Sequence, residues 1–168
     1  MRDFPFLLLL TACTQDLSER LAATHLEWAV ADDHYALFAW ANDDLLLDLI
    51  AVDRIEASCS ELNPQQVSFL VTDPETRSAE NELEAWLDLW ELGRGPDTGL
   101  HGRGRRFAGT TGTVTLTRVE PCTSDGLGTL DVALANIVLE RDGPGQRTVE
   151  AFTWTTVPVA RMSHYDGE

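Results

Sequence analysis

The stretch HLEWAVADDHYALFAWANDDLLLDLIAV, residues 25–52, decides the fold class. From His25 the pattern has a period of two. Leu26, Trp28 and Val30 alternate with His25, Glu27 and Ala29, as on a half-buried strand. Asp32-Asp33-His34 marks a turn. Tyr35 to Ala41 is a second run, apolar on both faces, and Asn42-Asp43-Asp44 ends it. Leu45 to Val52 follows, with Asp48 as its only charge. Three such runs joined by two short polar turns read as an antiparallel meander.

Further β segments follow the meander. Arg54 to Gln66 contains Cys59 and Asn63-Pro64 and reads as loop. Val67, Phe69 and Val71 then alternate with Ser68, Leu70 and Thr72. Residues 81–92 fit two patterns. As a strand, Leu83, Ala85, Leu87 and Leu89 share one face, and Glu82, Glu84, Trp86, Asp88 and Trp90 share the other. As a helix within 74–92, Leu83, Trp86, Leu87 and Trp90 form a stripe, with Asp73-Pro74 as its start and Gly93 as its stop. The clean alternation and the β surroundings favour the strand.

Gly93 to Gly112 departs in composition, with seven glycines, four arginines (Arg94, Arg103, Arg105, Arg106) and Asp97 as its only acid. It reads as a loop. Alternation resumes at Val114 and Leu116, at Leu130 to Leu139, and around Phe152 and Trp154. Asp125-Gly126 and Asp142-Gly143-Pro144-Gly145 fall between these runs as hairpin turns. The expectation is a mainly β chain: an antiparallel β-sandwich of about seven or eight strands over residues 25–162, with a polar tail at 163–168.

Charge narrows the partners. The chain has no lysine, 12 arginines, 28 acidic residues and a formal net charge of −16. Such a field repels phosphate backbones and anionic head groups, which disfavours nucleic acid as a partner.

Catalytic motifs are wanting. Gly104 to Thr111 has the glycine spacing of a phosphate-binding loop, but Thr110 stands where the lysine is required. No G-x-S-x-G elbow occurs, and Ser163-His164 are sequence neighbours near a polar tail. Asp32-Asp33 and Asp43-Asp44 are turn residues before they are an acid–base pair. No calcium-loop pattern is present. The reading is therefore of a non-enzyme without a cofactor. Two surface features remain as candidates. Trp86 and Trp90, beside carboxylates on one strand face, would suit a sugar or another small polar ligand. Arg94, Arg103, Arg105 and Arg106 would suit an anion or a partner's carboxylates.

The N-terminus carries the one resemblance. Arg2 supplies a positive end, and Phe4 to Leu10 is a short apolar run, well under the ~20 residues that span a bilayer. Leu10-Thr11-Ala12-Cys13 follows, and this arrangement resembles a bacterial lipoprotein signal with its lipobox. The resemblance implies that residues 1–12 are removed, that Cys13 is acylated, and that the bilayer is a partner through those acyl chains. Residues 13–24 would then be a lipid-anchored tether. The implied address is the cell envelope, and Thr14 in place of an aspartate favours the outer membrane over the inner. With Cys13 taken by lipid, Cys59 and Cys122 form an even pair, read as one disulfide worth ~4 kcal/mol in the chain-entropy model. A metal site using them with His25, His34, His101 or His164 lacks ligand spacing. The function implied is a structural or interaction module of the envelope, with carbohydrate binding as the alternative.

Overall fold

In the computed structural model the protein is described over residues 14–31, 34–41, 45–52, 66–73, 83–91, 104–121, 123, 126–141 and 145–161. The chain is mainly β. Its strands are β1 (Thr14–Asp16), β2 (His25–Ala31), β3 (His34–Ala41), β4 (Leu45–Val52), β5 (Gln66–Val71), β6 (Glu84–Glu91), β7 (Arg105–Glu120), β8 (Thr129–Glu140), β9 (Gln146–Pro158) and β10 (Ala160–Arg161). Among the described residues there is one short helix, α1, spanning Ser18–Leu21.

The meander over 25–52 forms as expected: β2 pairs antiparallel with β3, and β3 with β4. Residues 84–91 are a strand, which settles the ambiguity there against the helix. Ala85, Leu87 and Leu89 are at most 1% exposed, while Leu83, expected on the same face, lies outside the strand and is exposed. Registered rows carry the core. Leu37, Leu49 and Leu87 lie side by side across three strands, and so do Ala39, Leu47 and Leu89. One buried face on each strand is what period-two alternation produces.

The expected sandwich takes another form. Among the described residues the ten strands belong to one sheet, ordered β1-β9-β8-β7-β5-β6-β4-β3-β2-β10. The sheet is mixed, because β1 on β9, β5 on β6 and β10 on β2 run parallel. It curls. β9 and β10 are separated only by Val159, yet β9 lies near one edge of the order while β10 pairs with β2 at the other. The last strand therefore bridges the two edges of a half-barrel. A sandwich and a curled sheet both bury one face, so alternation alone does not separate them.

The curl comes from irregular positions in the long strands. β7 pairs with β6 through Ala108 and with β5 from Thr113. Its register on β8 shifts on either side of Thr111. Across this break the buried positions change parity, from Phe107 to Val114 and Leu116. β8 changes with it, from Leu134 to Ile137, through Asn136 at φ 52. Such bulges sharpen the bend and twist of a sheet.

The glycines read as loop belong to this device. Residues 105–112, expected as loop, are strand. A Cβ on Gly109 would lie 2.7 Å from Val71 Cγ1, where β5 wedges between β6 and β7. Gly112 sits at φ +129, and its Cβ would lie 2.5 Å from Ile137 Cδ1. Glycine marks close backbone approach here.

The segment expected as a tether is also part of the fold. β1 pairs parallel with β9, and the Leu17 N–H donates to the Thr148 carbonyl at 2.9 Å. Leu17 and Leu21 are fully buried. Leucines spaced by four place one face of α1 in the core, which the short polar sequence around them disguises.

Gly112→Ala should lower unfolding stability by about 1–3 kcal/mol, the usual cost of a forced backbone conformation. Gly126→Ala, whose Cβ meets nothing within 4 Å, should leave it nearly unchanged. Urea midpoints of the two variants test this; equal midpoints would remove the bulge from the account.

Candidate functional site

Four strands end together at the rim where β6 stops and β7 starts, and each carries its inward alternation one step past the core. On β6 the inward series Leu87, Leu89 continues to Glu91. On β7 it begins at Arg105, before Phe107. On β8 Leu139 is followed by Arg141, and on β9 Arg147 precedes Val149. Registers bring them together: Glu91 opposes Arg105, Leu89 opposes Phe107, and Leu139 opposes Arg147. Helix α1 adds Arg20.

Glu91 is the hub of this rim. Its Oε1 accepts from Arg147 Nε at 2.8 Å and faces Arg147 Nη2 at 2.7 Å, so both contacts of the fork converge on one oxygen. Arg20 Nη1 lies 3.6 Å from the same oxygen. Arg105 Nη2 lies 3.3 Å from Oε2. One carboxylate thus serves three guanidinium groups. The side chains of Glu91 and Arg147 are 11% and 13% exposed, whereas that of Arg105 is 65% exposed.

Phe107 forms the floor. The Arg147 guanidinium carbon lies 4.6 Å from its ring centroid, and that of Arg141 lies 5.8 Å away. Cations over a ring face add an electrostatic attraction of about 0.5–2 kcal/mol. Arg147 Nη1 also donates to the Gln146 carbonyl at 3.1 Å. Arg20 and Arg141 have further partners of their own. The arrangement holds a largely buried, oriented Arg147 and presents an exposed Arg105 outward. Planar forks of this kind match carboxylate and phosphate oxygens.

The four arginines expected as an anion or partner loop separate. Arg94 and Arg103 lie outside the described residues. Arg105 joins the rim. Arg106, its neighbour on a strand, faces the opposite side of the sheet, where Nε donates to Asp88 Oδ2 at 3.0 Å and Nη2 lies 2.8 Å from the same oxygen. Arg105 and Arg106 thus engage the chain's own acids as strand residues. Arg20, Arg141 and Arg147 were missed because they are scattered in sequence and only the curl assembles them.

Trp86 and Trp90 share the outer face of β6 with Asp88, as the alternation implied, and both are half-buried. Glu84, expected beside them, is 5% exposed and accepts from Thr72 Oγ1 at 3.5 Å. The Arg106 guanidinium carbon lies 5.9 Å from the Trp90 ring centroid. Cys13, Cys59 and Cys122, and with them the acylation site and the disulfide, lie outside the described residues. Comparison of the chain with protein-family profiles, curated proteins and solved structures finds no match.

Glu91→Gln should cost about 3 kcal/mol or more of stability, because it removes the carboxylate from a largely buried Arg147. Arg105→Gln should cost under about 1 kcal/mol, since that guanidinium is mostly in water. Denaturant titration of both variants checks the ranking, and a reversed order would show that the hub is misassigned.

Proposed function

We propose that the protein is a lipid-anchored module of the bacterial cell envelope, held by acyl chains on Cys13 and serving as a structural or interaction domain. The observation that carries the reading is the apolar run Phe4 to Leu10 ending in Leu10-Thr11-Ala12-Cys13. The position of β1 says how such an anchor would be joined to the domain. The first residue of β1, Thr14, immediately follows Cys13 and is registered on Gln146. Consecutive Cα atoms are about 3.8 Å apart, so an anchor on Cys13 leaves no slack between bilayer and domain. Two acyl chains hold a protein stably on a membrane without any spanning segment. Cys13→Ser should move the protein from the membrane fraction to the soluble fraction; unchanged fractionation would defeat the anchor.

A second reading is supported by the outer face of β6. Trp86, Asp88 and Trp90 alternate there with the buried Leu87 and Leu89. Indole rings beside a carboxylate suit the apolar faces and hydroxyls of a sugar. Binding on a glycan array that disappears in Trp86→Ala would support a carbohydrate ligand. Tryptophan fluorescence that stays constant across sugars would count against it.

A further inference from the structure

We propose that residues 14–24, which carry β1 and α1, form a releasable strap over the open side of the half-barrel, and that the strap opens as one unit while the sheet stays folded.

The strap lies where the sheet fails to close on itself. β9 and β2 stand near opposite edges of the strand order, and β10 joins them at one end. Toward the other end the gap is crossed by the strap. β1 registers on β9 through Thr14–Gln146, Gln15–Arg147 and Asp16–Thr148, and α1 packs against both β9 and β3. The Leu17 N–H donates to the Thr148 carbonyl at 2.9 Å. Leu17 and Leu21 fill the core and are 0% exposed. Trp154 Nε1 on β9 donates to Thr24 Oγ1 at 3.1 Å, just before β2 begins. Arg20 Nη1 lies 3.6 Å from Glu91 Oε1.

The strap has no structure of its own to keep once it leaves. α1 is a single turn of four residues, far below the ~12–15 at which an isolated helix is marginal in water. Its N-cap is Leu17, which offers no side-chain acceptor, and Asp16 Oδ1 takes the Ser18 N–H at 3.3 Å. The ladder of β1 is three residues long and parallel, the weaker kind of pairing. Both elements therefore depend on the two leucines in the core. The segment has two states, docked or unfolded, which is why it moves as a unit.

The barrel does not share this dependence. The pairings from β9 through β7 to β2 make no use of residues 14–24. β10 stays on β2, and the Val159 N–H stays on the Gly128 carbonyl at 3.1 Å. Arg147 keeps Glu91 at 2.7 Å when Arg20 departs. Ala22 and Ala23, both exposed, supply the hinge. Opening uncovers the β9 edge at Gln146–Thr148 and the indole N–H of Trp154, a residue 6% exposed in the docked state. Contiguous units that open below the global stability are a general property of native chains, and terminal segments are the first among them.

Hydrogen exchange on the full chain, followed by NMR at rising sub-denaturing urea, tests the proposal. The amides of Leu17, Leu21, Ala22 and Thr24, together with the Trp154 indole N–H, should show one common protection factor. That factor should lie at least about tenfold below those of Val132 and Leu134 on β8, and it should respond weakly to urea because little surface is exposed. Protection equal to that of β8 would overturn the proposal, since the segment would then leave only on global unfolding. Graded, unequal protection along residues 17–24 would also overturn it, because that is fraying from the end. Leu21→Ala should speed Leu17, Ala22, Thr24 and the Trp154 indole by the same factor, about thirtyfold or more. Unequal factors in that variant would reject a single unit.

Discussion

The structure depends on the seam where the sheet returns to itself. β9 would otherwise end near one edge of the sheet, with β2 exposed near the other. β10 continues β9 by one residue and lays Ala160 and Arg161 on Ala29 and Val30. Just before β2, Trp154 Nε1 donates to Thr24 Oγ1 at 3.1 Å, and Thr24 Oγ1 donates in turn to the Leu21 carbonyl at 2.6 Å. The seam thus joins β9, α1 and the start of β2. An open edge is a template for unwanted pairing, and β1 and β10 cover the outer strands at both sides of this sheet.

Curvature makes that seam reachable. Strands of uniform alternation keep one face inward along their length. β7 and β8 need the parity changes at Thr111 and Asn136 to keep apolar residues inside while they bend. Gly112 lies where the backbone takes a conformation unsuited to other residues, against Ile137. A Cβ on Gly109 would lie 2.7 Å from Val71 Cγ1 and 3.1 Å from Leu87 Cβ, too close for either to accommodate without shifting. Fully buried Phe69, on the wedging strand β5, and Phe107, on β7, fill the interior. Local backbone irregularity and core filling are therefore one device, and a side chain added at the bend disturbs both.

The same curl gathers arginines around one carboxylate in an acidic molecule. Arg20, Arg105, Arg141 and Arg147 come from a helix, two strands and a strand end that are far apart in sequence. Their gathering around Glu91 and Phe107 is tolerable because the carboxylate is shared and the ring accepts cations on its face. Of the pairs, Arg147–Glu91 contributes most to holding the rim together, being largely shielded from water. Arg105 contributes little to stability and is correspondingly available to a ligand. The outer face of β6 shows the opposite economy, with Arg106 laid between Asp88 and the Trp90 ring.

Much of this was legible in the sequence. Alternation identified the strands over residues 25–52 and 84–91 and, on 84–91, the buried face of Ala85, Leu87 and Leu89. The same alternation placed Trp86, Asp88 and Trp90 on one face. Residues 105–112 and 14–24 were misread, because glycine and arginine dominate the first and polar residues the second, while their burial is supplied by partners distant in the chain. The sequence by itself determined which positions alternate, since that follows from the geometry of a single strand. Only the tertiary structure decided that one sheet curls instead of two stacking, and that Glu91 gathers arginines from α1, β7 and β9. Both outcomes depend on contacts between residues far apart in the chain, and no local pattern carries those.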